Sequence, residues 1–473
     1  MKPSKVFILL SDGVGLRNFA YTDFWKQAEQ NNIEIVFINN TPFDLKKMGY
    51  REIKVSQMRP HKLTDLFKKA RVQVDLDLNI KRFNDQIYNA YRFPFNYNSL
   101  TESIKSFTVS ALSKWYSSEN GIKKLRKRIF DLERKTKSYR DFHTLFEQEK
   151  PDFVFSTNQR TVAAIAPILA AQDLNIPTGT FIFSWDNLPK ATLVLEPDFY
   201  FVWSQHMKNE LLAYYPFITK DQIFVTGTPQ FEKHQESRWI TPKDDFFKQH
   251  QLDIQKKYIC YSGDDVTTSP NDPQYLADLC SAIRRLNTQG QNLGVVFRRC
   301  PVDFSDRFNH VLTENQDIIV SIDPVWERAG EGWNTYLPTV ADMHLQLSTI
   351  AHTEMVVNLG STMVFDYVSF QKPCAFVNYD VVDCPREHWS VTKIYKYVHF
   401  RSMPQPESVL WINSPNDLDQ IILQGMSNSS ATVQAAQKWF EIINQDQPNK
   451  ASLRILEAIK IIISKELAQQ HIN

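Results

Sequence analysis

The stretch Val356-Val357-Asn358-Leu359-Gly360-Ser361-Thr362-Met363-Val364-Phe365-Asp366-Tyr367, continued by Gln371-Lys372-Pro373-Cys374-Ala375-Phe376-Val377, decides the fold. It reads as a buried strand, a turn of small residues, the first turn of a helix with an acid inside it, and a second strand after Lys-Pro. Gly360 lets the backbone approach a ligand closely, and Ser361 and Thr362 are residue types that cap helices. A helix start carries unpaired N–H groups and partial positive charge, a setting suited to phosphate. Asp366, one turn after Thr362, is placed to accept hydrogen bonds from a ribose. An ordinary strand–turn–helix of an α/β domain has the same pattern. The ligand-binding reading adds a nucleotide diphosphate at the carboxyl ends of parallel strands.

Around this segment lies a chain of 473 residues, long enough for two or three domains that each bury a core. The net charge of +1 argues against nucleic acid as the main partner. Five cysteines (Cys260, Cys280, Cys300, Cys374 and Cys384) are odd in number and show no CxxC spacing, so a reduced protein without structural zinc is expected. Lys5–Leu10 is too short an apolar run for a secretion signal and meets Ser11-Asp12-Gly13 at once. No segment approaches the roughly 18 apolar residues of a membrane span, and a cytoplasmic location is expected.

Short apolar runs alternate with helical patterns along most of the chain, as in parallel sheets. Strand Val6–Leu10, a glycine loop, a helix to Gln30 and strand Ile33–Ile38 open a first domain over 1–230. Residues 41–145 break the rhythm with polar, aromatic and mainly helical sequence, and read as an insertion. Strands resume at 152–156, 178–183, 199–203 and 222–226. Residues 231–256 read as a linker, and a second α/β set follows over 257–440, with strands at 258–261, 294–298, 318–321, 355–358 and 374–377. A final helical segment, 441–473, is expected to pack back across the junction. The predicted architecture is two doubly wound parallel-sheet domains facing across a cleft.

Four segments in this order resemble the GT-B glycosyltransferases, in particular the UDP-glycosyltransferase-like enzymes of bacterial surface-polysaccharide synthesis. They are Ser11-Asp12-Gly13-Val14-Gly15-Leu16-Arg17-Asn18, Ser184-Trp185-Asp186-Asn187-Leu188, Val225-Thr226-Gly227-Thr228-Pro229-Gln230-Phe231, and Gly360-Ser361-Thr362 through Lys372-Pro373. The last also resembles the CDP-glycerol glycerophosphotransferases, so polyol-phosphate transfer is the alternative chemistry, and a non-catalytic GT-B scaffold is the third reading. The resemblance implies a nucleotide-sugar donor, most simply UDP-linked, in the second domain, and a glycan or lipid-linked acceptor at the first. Gly360, Ser361 and Thr362 would then hold the diphosphate and Asp366 the ribose or sugar hydroxyls. Arg298 and Arg299 end a strand where a guanidinium can grip phosphate, and Gly263 follows the first strand of the same domain. Trp333, with Trp326, is a candidate to stack on the base.

The resemblance also implies metal-independent chemistry with no cofactor. No DxD motif between strands, of the kind metal-dependent transferases use, is read in the sequence, and no His/Cys cluster suggests zinc. An inverting transfer needs a base, and Asp12 and Asp186 follow strands in the first domain. Gly13, Gly15, Arg17 and Asn18 are expected to position acceptor or donor. The paired glutamates of retaining relatives find no counterpart at Asn358, which favours inversion. Residues 121–140 hold nine Lys or Arg, with Ile122, Leu125, Ile129 and Leu132 at helical spacing. This basic amphipathic segment is a candidate for peripheral contact with an anionic membrane, the plainer alternative being a helix packed on its own domain.

Overall fold

The computed structural model describes residues 2–55, 58–328, 335–382 and 389–470. The chain forms two compact units, Met1–Pro229 together with Ile443–Asn473, and Gln230–Ile442. Trp333 and Cys384 lie outside the described residues.

The first unit holds a parallel sheet of β1 (Ser4–Leu10), β2 (Ile33–Asn39), β3 (Glu52–Lys54), β4 (Phe153–Ser156), β5 (Thr178–Phe181), β6 (Phe199–Val202) and β7 (Ile223–Val225), in the order β3-β2-β1-β4-β5-β6-β7. The central β1 is buried from Val6 to Leu10, which explains its unbroken apolar run. Phe7 and Leu9 face a core completed by Ile129, Phe142 and Phe146 of the inserted helices and by Ile165 and Ile168. The second unit contains β8 (Lys257–Ser262), β9 (Leu293–Arg298), β10 (Ile319–Ser321), β11 (Trp326–Arg328), β12 (Tyr336–Pro338), β13 (Val356–Asn358), β14 (Cys374–Val377) and β15 (Leu410–Ile412). Its parallel sheet has the order β10-β9-β8-β13-β14-β15, and β11 and β12 form a separate antiparallel pair. Two doubly wound parallel-sheet units are thus present, as the strand rhythm predicted.

Three differences from the sequence reading, in β3, in the other short strands and in the expected linker, have physical causes. β3 lies inside the supposed insertion and extends the sheet edge through Ile38 and Ile53, but Ile53 is flanked by charges and leaves no period to read. β15 and the β11–β12 pair are equally short, and their partners rather than local patterns make them strands. Residues 241–252, inside the expected linker, are part of the second unit. Phe246 and Phe247 of helix Lys243–Gln249 enter its core beside Tyr258, Val296 and Ile322, and Thr241 N–H donates to Ser348 Oγ at 2.9 Å. The C-terminal segment belongs with the first unit, where Thr228 N–H donates to Asn444 Oδ1 at 3.0 Å and Arg454 Nε to the Thr226 carbonyl at 2.7 Å.

The basic segment forms helix Glu119–Glu133 and the start of helix Lys137–Glu149. Its stripe of Ile122, Leu125, Ile129 and Leu132 is buried, so those side chains hold the inserted helices to the sheet rather than face a membrane. The lysines Lys123, Lys124 and Lys127 remain exposed on the opposite side.

Candidate active site

In each sheet the strand order reverses beside the unit's first strand. From β1 the chain builds outward through β2 and β3, then returns to place β4 on the other flank of β1. From β8 it builds through β9 and β10 before β13 joins β8 on its other side. At such a switch point the loops after the two flanking strands diverge to opposite faces, leaving a crevice at their carboxyl ends. The four loops concerned are those after β1, β4, β8 and β13, and three carry glycine segments or acids picked out from the sequence.

After β1, Asp12 adopts extended backbone and caps the short turn Gly13–Gly15, accepting from Gly15 N–H at 2.8 Å. Its second oxygen accepts a short hydrogen bond from Asn158 Nδ2 in the loop after β4. The two sides of the first switch point are therefore tied together through this carboxyl. Burial pushes the Asp12 carboxyl above its ordinary value, against the hydrogen bonds from Gly15 and Asn158 and the nearby charge of Arg160. Gly13 is buried, and Gly15 has a packing reason: a Cβ there would lie 2.5 Å from Thr157 Oγ1. Asn18, expected to position a ligand, is fully buried, and neither atom of its carboxamide meets a hydrogen-bond partner among the described residues. Arg17 is half-buried on the same turn. Asp186, after β5, is held by Asn187 Nδ2 at 2.7 Å and by Ser184 Oγ and Lys190 Nζ. That lysine pairs directly with Asp186, whereas Asp12 has Arg160 only as a nearby charge.

In the second unit, Asn358 ends β13 fully buried, and its Oδ1 accepts from Ser361 N–H at 3.0 Å. The turn needs Gly360, whose φ of +66° is left-handed and whose added Cβ would lie 2.9 Å from the Phe400 ring. Thr362 precedes helix Met363–Val368 with helical backbone and no side-chain cap, so the capping role read for it is not seen. Ser361 Oγ instead accepts from Met363 N–H at 3.4 Å. Gly360→Ala is expected to destabilise this unit by about 2–4 kcal/mol, combining left-handed strain with crowding of Phe400. A urea-unfolding cycle with Phe400→Leu should recover the crowding part as a coupling energy.

Asp366 is buried and lies 2.7 Å from Nε2 of His234, whose ring also meets Phe231 and Phe370. His234 Nδ1 has no hydrogen-bond partner among the described residues. The ribose role read for Asp366 therefore has a competitor already in place. His234 escaped sequence reading because it falls in the presumed linker, with no periodicity or motif around it.

Arg298, expected at a phosphate, is buried and directs Nη2 to both oxygens of Asp342, each at 2.9 Å. Asp342 also accepts from Val325 N–H at 2.8 Å and Trp326 Nε1 at 2.7 Å, which draws Trp326 into an ion-pair network rather than a stacking platform. Arg299 is half-buried, donates Nη1 to the Ser305 carbonyl at 2.8 Å and lies over Phe308. Its Nε is buried without a hydrogen-bond partner among the described residues, so donor capacity remains.

Gly263 continues the β8 ladder by donating N–H to the Arg298 carbonyl at 2.9 Å, and a Cβ on it would sit 3.2 Å from Phe297. Next to it, burial and the neighbouring Asp272 and Asp265 push Asp264 well above the carboxylate range. Asp272 is itself pushed up to about 6 by burial, although Asp264 N–H, Ser269 Oγ and Tyr261 OH all donate to it. Asp264 Oδ2 is buried and meets no hydrogen-bond partner among the described residues.

Three solved structures share this architecture over nearly the whole chain. S. aureus MnaA in its co-structure with UDP aligns over 98% of this chain and 97% of its own at 14% identity, with a TM-score of 0.51. A putative UDP-N-acetylglucosamine 2-epimerase from Listeria monocytogenes aligns over 97% and 96% at 12% identity, with a TM-score of 0.54. A glycosyltransferase from Rickettsia africae aligns over 97% and 99% at 10% identity, with a TM-score of 0.51. No family profile matches the chain, and no curated protein sequence matches it either. The chain has the GT-B fold, two Rossmann-like parallel-sheet units in one polypeptide.

Proposed function

We propose that this chain is a glycosyltransferase that moves a sugar from a nucleoside diphosphate donor, most simply UDP-linked, to a hydroxyl of a cell-envelope glycan or lipid-linked acceptor. The observation that carries the reading is the pair of loops at the second switch point. Gly263-Asp264 after β8 and the Gly360-Ser361-Thr362 turn after β13 leave adjacent strands at their carboxyl ends, where doubly wound sheets take nucleotides. The GT-B fold makes nucleotide sugars the first ligand class to test.

In the proposed reaction the acceptor oxygen attacks the anomeric carbon of the donor sugar. The bond from that carbon to the diphosphate oxygen breaks, and the nucleoside diphosphate leaves with the electron pair. The Asp12 carboxylate takes the acceptor proton, its raised proton affinity making it a stronger base than an exposed aspartate. Arg299 and the polar groups of the Gly360–Thr362 turn stabilise the charge that develops on the leaving diphosphate, the chemistry an oxyanion site provides. Asp186, already paired with Lys190, is the weaker candidate base.

Thermal unfolding with UDP, CDP, GDP, their sugars and CDP-glycerol tests the donor class. A ligand at about 100 times its Kd adds roughly 2.7 kcal/mol to the native state. The expected result is a raised midpoint with UDP or a UDP-sugar that is lost in Ser361→Ala/Thr362→Val. A shift with CDP-glycerol alone would move the chemistry to polyol-phosphate transfer, and no shift with any nucleotide would overturn the proposal.

A further inference from the structure

We infer that His234 is a positioning residue of the nucleotide site, holding the Asp366 carboxylate by one oxygen and leaving the other for a ribose hydroxyl. The inference rests on the donor reading above and adds a residue to it. His234 lies in the turn Pro229–Gln235 and Asp366 in helix Met363–Val368, both residues within the second unit. Their side chains meet at 2.7 Å, Nε2 to Oδ1, with His234 8% and Asp366 3% exposed. His234 Nδ1 is buried and meets no hydrogen-bond partner among the described residues. The tautomer that fits therefore carries its proton on Nε2 and donates it to the carboxylate. The imidazole is held against turning, since its ring packs on Phe231 at 5.3 Å and Phe370 at 5.9 Å. Phe231 also meets Phe440, which stacks on Phe365 of the helix that carries Asp366. The Nε2–H group is thus fixed relative to its acceptor from both sides.

The second oxygen decides what this contact does. Oδ2 of Asp366 accepts from no described residue and, unlike His234 Nδ1, is not sealed from solvent. A buried carboxylate with both oxygens satisfied would be an anchor and no more. Here one oxygen is taken and the other keeps its acceptor capacity. Thr362 and Asp366 are four residues apart, so they share one side of the helix start, about 6 Å apart along its axis. A diphosphate on the Gly360–Thr362 turn would then bring the ribose of the same nucleotide to Asp366. A hydroxyl donates to a carboxylate, whereas a second phosphate would be repelled. Hydrogen bonds to a charged acceptor are the stronger class, and they give most when the acceptor is pinned before the ligand arrives. Pinning is what the His234 contact supplies.

Titration calorimetry of the full chain with UDP and its 2′-deoxy and 3′-deoxy analogues tests this. Wild type is expected to bind UDP at least about tenfold more tightly than one of the two analogues. His234→Phe keeps a ring between Phe231 and Phe370 but has no Nε2–H. It is expected to lose that preference while binding the disfavoured analogue as wild type does. His234→Gln, whose carboxamide supplies an N–H, is expected to keep most of the preference. Asp366→Asn still accepts from His234 but offers no second acceptor, so it is expected to lose the preference even if His234→Phe fails to fold. An unchanged preference in His234→Phe or in Asp366→Asn would overturn the inference. So would a His234→Phe protein that loses affinity for UDP and both analogues alike, which would make the pair structural. Equal binding of all three ligands by wild type would overturn it with the donor reading intact. Wild type that binds none of them would overturn the donor reading itself, and the inference with it.

Discussion

Asp342→Ala is expected to destabilise the second unit by about 3–5 kcal/mol, the cost of stranding a buried cation. Arg298 and Asp342 are almost wholly removed from solvent, and the carboxylate accepts from Arg298 Nη2, Val325 N–H and Trp326 Nε1. Truncation removes the acceptor of all three donors and leaves the Arg298 guanidinium without its counter-charge. Arg298→Met/Asp342→Leu removes both charges and should cost much less, because the large penalty comes from the unpaired ion rather than from loss of the pair. Urea unfolding followed by amide exchange of β9 would read both effects. A single variant within about 1 kcal/mol of wild type would show that the pair is solvated in solution.

Asp12→Asn is expected to lower turnover about 10²- to 10⁴-fold in the proposed transfer while leaving the UDP-induced thermal shift in place. The substituted carboxamide can still accept from Gly15 N–H, so the cap and the backbone of the loop survive. In the wild type the rate should rise with pH as Asp12 deprotonates, and burial places that ascending limb above the usual carboxylate range. The folding linkage has a matching sign. A carboxyl with a raised native pKa binds its proton more tightly folded than unfolded, so its contribution is full at low pH and is lost as pH rises from the unfolded value through the native one. Asp12→Asn should remove both the rate limb and that stability slope. Turnover equal to wild type would leave Asp12 as an N-cap and no more.

Legibility from sequence followed the range of the interactions involved. The runs Val6–Leu10 and Val356–Asn358 announce central strands because both faces of each strand are covered, and nearly every side chain must then be apolar. Gly360 was legible because the left-handed turn admits little else. Asp12, Gly263 and the Gly360–Thr362 turn were found by their place after strands, and they fall at the two points where strand order reverses. The edge strand Glu52–Lys54 and the strand Leu410–Ile412 were missed, each being three residues long and defined by a neighbour. The basic segment was read correctly as amphipathic, but which of two inserted helices turns its apolar side outward was not in its periodicity. Helix Glu119–Glu133 buries its stripe, whereas Leu100–Trp115 exposes one and packs through a smaller face.

Local chemistry alone thus specified two parallel-sheet α/β units, the glycine turns and the acids at strand ends, since backbone preference and burial pattern act over a few neighbouring residues. The charge partners were settled by packing across long separations. Asn158 reaches Asp12 over 146 residues, His234 reaches Asp366 over 132, and Arg298 finds Asp342 over 44. Each pairing is chosen by which side chains share a desolvated space, where an unmatched polar group costs kilocalories, and that space exists only once the sheets are wound.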